Sequence, residues 1–152
     1  FFCWRHSGGS TSRLLGVLRT RVRADGGFDI IPILMRGPEI FRQPIPRTAT
    51  EELAAESFED MVKFVVDLGR NVICAGGGLH ADEEQLLLED GSRQEDLWGA
   101  NYYLTDVSCA RYEFTSMINI RPSQANTAQL IQSEDVRRRV RDLAVHFFES
   151  SP

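Results

Sequence analysis

Two stretches of this chain alternate in polarity with a period of two, and that alternation constrains the fold more than any other feature. Over residues 97–104, Trp98, Ala100, Tyr102 and Leu104 share one face, while Gly99, Asn101 and Tyr103 share the other. Over residues 112–121, Phe114, Ile118 and Ile120 share a face with Ser116 as the exception. Glu113, Thr115, Asn119 and Arg121 share the opposite face, with Met117 as the exception. A strand half-buried in an antiparallel sheet reads this way. Pro122 removes a backbone donor and ends the second stretch.

The remaining segments supply helices. Thr48, three residues before Glu51, has the form of a capping box. Leu53, Ala54, Phe58, Met61, Val62, Val65 and Leu68 then recur at helical spacing, which predicts a helix over residues 50–70 with Lys63 and Asp67 as an i,i+4 pair. Residues 72–75 are either the last helical turn or a brief strand, stopped by Gly76, Gly77 and Gly78. Residues 82–91 suit either a short helix capped by Asp82 and closed by Gly91, or a hairpin turning at Asp90-Gly91. The helix is preferred, because Leu86-Leu87-Leu88 does not alternate. Residues 39–42 form a short strand or extended stretch, and residues 128–131 form one more strand. Ser133 caps a last helix over residues 133–148, with Val136, Val140, Leu143 and Phe147 as its core stripe. The expected fold class is α+β: a single domain with a small antiparallel sheet of three or four strands packed on two main helices, which cover one face.

Length fits one domain, at 152 residues. No apolar run approaches the ~18 residues of a membrane span, so no membrane partner is expected and a cytoplasmic location is. Three cysteines, Cys3, Cys74 and Cys109, form no C-x-x-C pair and complete no disulfide framework. Residues 1–48 carry eight Arg against three acids, whereas the rest carries nine basic and nineteen acidic residues. That acidic majority disfavours nucleic acid as a partner, because phosphate contacts need clustered positive charge. Residues 1–34 read as a leader of doubtful status, disordered or preceding a true start at Met35. Ser12 is the expected cap of a short amphipathic helix there, over residues 14–22. The core domain is then residues 35–152.

The segments Met61-Val-Lys63-Phe-Val-Val-Asp67, Leu79-His80-Ala-Asp82-Glu83, Gly91-Ser92-x-Gln94-x-x-Leu97-Trp98-Gly99-x-Asn101 and Ser116-Met-Ile-Asn119-Ile-Arg121-Pro122 together resemble a family of small uncharacterised prokaryotic proteins, filed as a domain of unknown function. The resemblance covers about residues 39–148. Gly78 departs from it, since an acidic residue is expected there. The resemblance implies no activity.

Three constellations carry chemistry. His80, Asp82 and Glu83 combine imidazole and carboxylate, which suits a divalent metal or an acid–base pair. No cofactor is otherwise predicted. On the polar sheet face, Asn101, Tyr103, Asn119 and Arg121 offer directional donors and acceptors, bordered by Arg93, Gln94, Gln124 and Asn126. Arg137, Arg138, Arg139 and Arg141 form a basic helix face able to meet phosphates. The leading expectation is a small ligand- or protein-binding module using the polar sheet face. The alternative is a metal-dependent hydrolase-like enzyme centred on His80, Asp82 and Glu83, and a weaker one is nucleic-acid binding through the Arg-rich helix. Tyr103 and Met117 permit a homodimer contact.

Overall fold

The computed structural model describes residues 15–23, 25–35 and 37–150. They fall into two compact units, divided between residues 37 and 38. The first contains an antiparallel hairpin of β1 (Leu15–Val22) and β2 (Phe28–Met35), in register from Leu15 opposite Met35 to Val22 opposite Phe28. Gly26 turns the chain between them at φ +82°, where a Cβ would be strained. Leu15–Val22, within the helix expected over residues 14–22, is therefore a strand, and Leu14 lies outside the described residues. Gly16 weakens a helix there, Val17, Thr20 and Val22 favour extended backbone, and residues 28–35 provide the partner strand. Ser12 lies outside the described residues.

The second unit is α+β. Five strands form one antiparallel sheet: β3 (Glu39–Phe41), β4 (Met61–Asp67), β5 (Val72–Ala75), β6 (Leu97–Tyr103) and β7 (Tyr112–Glu113), in the order β3-β5-β4-β6-β7. Three helices accompany it: α1 (Arg47–Ser57), α2 (His80–Glu89) and α3 (Glu134–Glu149). The sheet thus has five strands rather than three or four, and the main helices number three rather than two.

The largest correction lies at residues 58–70, expected as helix. The chain leaves α1 at Ser57, turns through Glu59 at φ +70°, and enters β4. Met61, Val62 and Val65 satisfy a helical spacing. However, a strand buried on both faces also reads as a continuous apolar run, so periodicity does not separate the two. The β-branched and aromatic content of Val62, Phe64, Val65 and Val66 decides it. Asp67 consequently makes no helical pair with Lys63. Its Oδ1 accepts from the backbone N–H groups of Gly69 and Arg70 and shapes the turn into β5.

Both faces of the sheet are covered. Val62, Phe64, Val66, Ile73, Trp98 and Tyr102 face α1 and α3 and build the larger core with Leu53, Val140, Ala144 and Phe147. The Phe148 ring meets Phe64 edge-on at 5.3 Å and stacks on Tyr102 at 4.7 Å. Each such buried ring contributes about 2–3 kcal/mol from burial. On the other face Val65, Val72, Cys74 and Leu97 pack against Leu87 of α2. The strand expected over residues 112–121 also ends early, since only Tyr112–Glu113 joins the sheet. Ser116 accepts from the Ile118 N–H and starts a single 3-10 turn, Met117–Asn119. The strand expected over residues 128–131 is a lone bridge from Leu130 to Thr115.

Helix starts differ in detail from the sequence expectation. Pro46 occupies the N-cap of α1 with no side-chain cap, so Thr48 caps nothing. Leu79 precedes α2, which places Asp82 and Glu83 in the first turn rather than at a cap. Gly91, at φ +97°, stops α2 as expected. Ser133 caps α3 by accepting from the Val136 N–H.

Candidate functional site

Strand register sets one polar row across the end of the sheet facing α2. Lys63 on β4 lies opposite Asn101 on β6, and Asn101 lies opposite Glu113 on β7. Asn101 is buried, and its Nδ2 donates to Glu113 Oε2 at 2.9 Å. The Tyr103 hydroxyl donates to the same oxygen at 2.9 Å. Asn101 Oδ1 is buried and has no partner in hydrogen-bond geometry among the described residues; the His80 imidazole beside it becomes a donor to it only when charged. Lys63 and Tyr103 are half-buried and Glu113 is exposed, so the row opens to solvent at its margin. Burial, reinforced by Glu113, pushes the Tyr103 phenol above its ordinary range.

His80 begins α2 above this row. Its Nε2 lies 2.9 Å from the Ala100 carbonyl oxygen. A carbonyl only accepts, so Nε2 carries the proton and Nδ1 is left as an acceptor in the neutral ring. Burial lowers the imidazole pKa and Lys63 lowers it further. The Ala100 carbonyl, the neighbouring Asn101 side chain and Glu113 oppose that shift in part. The balance favours a neutral imidazole, which can accept a proton.

One helical turn on, Glu83 is fully buried. Its Oε1 accepts from the Gly77 N–H at 2.9 Å, while Oε2 has no hydrogen-bond partner among the described residues. Burial raises the carboxyl pKa well above the ordinary range, against the pull of the Gly77 N–H and Lys63. The glycine run makes this possible. Gly76 sits at φ +92°, and a Cβ there would lie 2.7 Å from Leu53 Cδ2. A Cβ on Gly77 would come within 3.0 Å of Glu83 Cγ. Asp82 is exposed, so α2 separates it from the buried His80 and Glu83. The structure does not bring the expected metal trio together. Among the described residues, no three His, Cys, Asp or Glu side chains are grouped to hold a metal ion.

The rest of the expected polar face is folded inward. The 117–119 turn lies over Gly99, whose N–H donates to Asn119 Oδ1 and whose carbonyl accepts from Asn119 Nδ2, both at 2.9 Å. Asn119 therefore mimics the backbone of a missing neighbouring strand. Asn126 Nδ2 bonds the carbonyls of Asn119, Ala128 and Leu130, and its Oδ1 accepts from the Gln132 N–H. Arg121 donates to the carbonyls of Gln94 and Leu97, pairs with Glu84 at 2.8 Å, and covers the Trp98 ring at 5.4 Å. Gln124 donates to the Glu95 carbonyl, Gln94 reaches Glu84, and Arg93 pairs with Glu95 at the surface. These side chains spend their bonds inside the chain, which corrects the expectation of one open polar face carrying all of them. Tyr103 remains half-buried at its margin, with Asn101 buried beside it.

Three of the four arginines of the Arg-rich helix are similarly engaged. Arg137 donates to the Ile131 and Gln132 carbonyls, Arg138 pairs with Asp135, and Arg141 lies over Phe114 at 5.2 Å. Lys63, expected within a helix and paired with Asp67, stands on β4 beside Asn101 instead. Only the strand register reveals it. Among the described residues, no helix is long and apolar enough to cross a membrane. A family model described as a protein of unknown function matches residues 39–147 of the chain. No curated protein and no solved structure matches it.

Proposed function

The chain belongs to the DUF5674 family of proteins of unknown function, and for it we propose a small ligand-binding module. The site is the open end of the polar row, with Lys63, His80, Asn101, Tyr103 and Glu113 around it. One observation carries this reading. Asn101 Oδ1 is buried with no hydrogen-bond partner among the described residues, and an unmet buried acceptor costs ~1–3 kcal/mol. A ligand that brings an N–H donor recovers that cost on binding. The Glu113 carboxylate beside it favours the same kind of group, so the ligand carries an amide or amine N–H.

The test is a set of small primary amides and amines screened by ligand-observed NMR against the full chain. Hits are expected to weaken about tenfold or more in Asn101→Ala, equivalent to ~1.4 kcal/mol. A melting curve checks that the variant folds, and Tyr103→Phe provides a milder second variant. Hits that bind both variants as tightly as the parent chain overturn the proposal.

A further inference from the structure

On the opposite side of the sheet, a cavity of about 220 Å3 opens between α1, α3 and the end of β6. That volume is below the ~300–1,000 Å3 of drug-sized sites, which bounds its occupant to a fragment-sized molecule. Two kinds of chemistry meet there. The first is flat and apolar: the Tyr102 and Phe148 rings lie parallel, 2° apart in plane and 4.7 Å apart in centroid. The second is cationic: Arg111 and Arg47 both line the cavity.

Arg111 is held in place. Its Nε donates to the Asp106 carbonyl, and its guanidinium lies 5.7 Å from the Tyr102 ring centroid. The closest carboxylate in the lining, Glu149, is shared. Its Oε1 accepts from the Tyr112 hydroxyl and lies 3.4 Å from Arg111 Nη1, longer than a tight ion pair. Among the described residues Arg111 Nη2 makes no hydrogen bond, so that end of the fork is left for a ligand. Arg47 brings a second guanidinium from the first turn of α1, anchored among the described residues through Nε to Glu51 at 2.9 Å, with its side chain 80% exposed.

We propose that this cavity binds a small organic carboxylate with a flat apolar body. The ring rests against the margin of the Tyr102–Phe148 stack, and the carboxylate is met by the Arg111 and Arg47 guanidiniums. A planar fork matches a carboxylate in two parallel hydrogen bonds, and a guanidinium beside an aromatic ring is pre-positioned for it. This site is independent of the one around Asn101 and stands or falls separately.

The experiment titrates the full chain with benzoate, benzylamine and inorganic phosphate at one ionic strength, followed by backbone amide NMR. Benzoate is expected to saturate, shifting Thr50, Tyr102, Arg111 and Phe148, with the other two probes at least tenfold weaker. Arg47→Ala weakens benzoate several-fold, and Arg111→Lys, which keeps the charge but loses the fork, weakens it about tenfold. Arg47 is far enough exposed that its loss leaves the fold intact, so the test survives if Arg111→Lys unfolds. Four results overturn the proposal: benzylamine binding as tightly as benzoate, phosphate doing so, an unchanged affinity in Arg47→Ala, or no benzoate saturation below about 20 mM, a range equivalent to only ~2–3 kcal/mol of binding.

Discussion

Glu83 and His80 lie one helical turn apart, and burial works on them in opposite senses. Burial holds the Glu83 carboxyl above its ordinary value of 4.5 and holds the His80 imidazole below its ordinary value of 6.5. For Glu83, the folded state binds its proton more tightly than the unfolded state. Its contribution is intact below the unfolded value of 4.5 and is lost as pH rises from there toward the folded value. For His80 the unfolded state binds the proton more tightly, so stability falls as pH drops below about 6.5. The two slopes oppose each other between those values, so a single curve does not separate them. Glu83→Gln does. The variant keeps an acceptor for the Gly77 N–H, and it is expected to gain on the parent chain steadily as pH rises above 4.5. Urea midpoints from pH 4 to 9 read this directly, and a difference that stays flat with pH contradicts the account. His80, Asp82 and Glu83 were legible in the sequence only as one group of three. That Asp82 stands apart was not, because the helix begins at His80 rather than after Asp82.

At the scale of elements, polar side chains replace missing backbone pairing. β7 is two residues long, so on that edge β6 has no strand partner beside Gly99, which pairs on its other edge with Val65 of β4. Asn119 fills that place with three hydrogen bonds, to both backbone groups of Gly99 and to the Gln129 carbonyl. Asn119→Ala leaves those buried groups unmet, and a loss of about 2–4 kcal/mol in unfolding free energy is expected. A loss under ~0.5 kcal/mol contradicts the assignment. The alternation over residues 97–104 was legible because β6 is regular. The one over residues 112–121 misled beyond Glu113, because a side chain that imitates a strand sits at the same spacing as a strand residue. Residues 61–67 misled for another reason: a central strand covered by α1 and α3 on one side and by α2 on the other has no polar face to reveal its period.

At the scale of the molecule, among the described residues both apolar cores consist of residues beyond position 37. We propose that residues 38–152 fold alone. Removing residues 1–37 should leave the melting midpoint of the remainder within about 2 °C, less than the ~2–8 °C that 1 kcal/mol moves a domain of this size. A larger drop sinks that proposal. The family was legible in the combined motifs, whereas the open end of the polar row was not, because Lys63, Asn101 and Glu113 are far apart in sequence and meet only through register. The central claim is that this row takes a ligand N–H donor at Asn101. It is tested most directly by mapping the amide and side-chain shifts of the full chain during titration with a primary amide hit. The account predicts a footprint on Lys63, His80, Asn101, Tyr103 and Glu113 that vanishes in Asn101→Ala. A footprint confined to other surfaces, or one that persists unchanged in the variant, contradicts it.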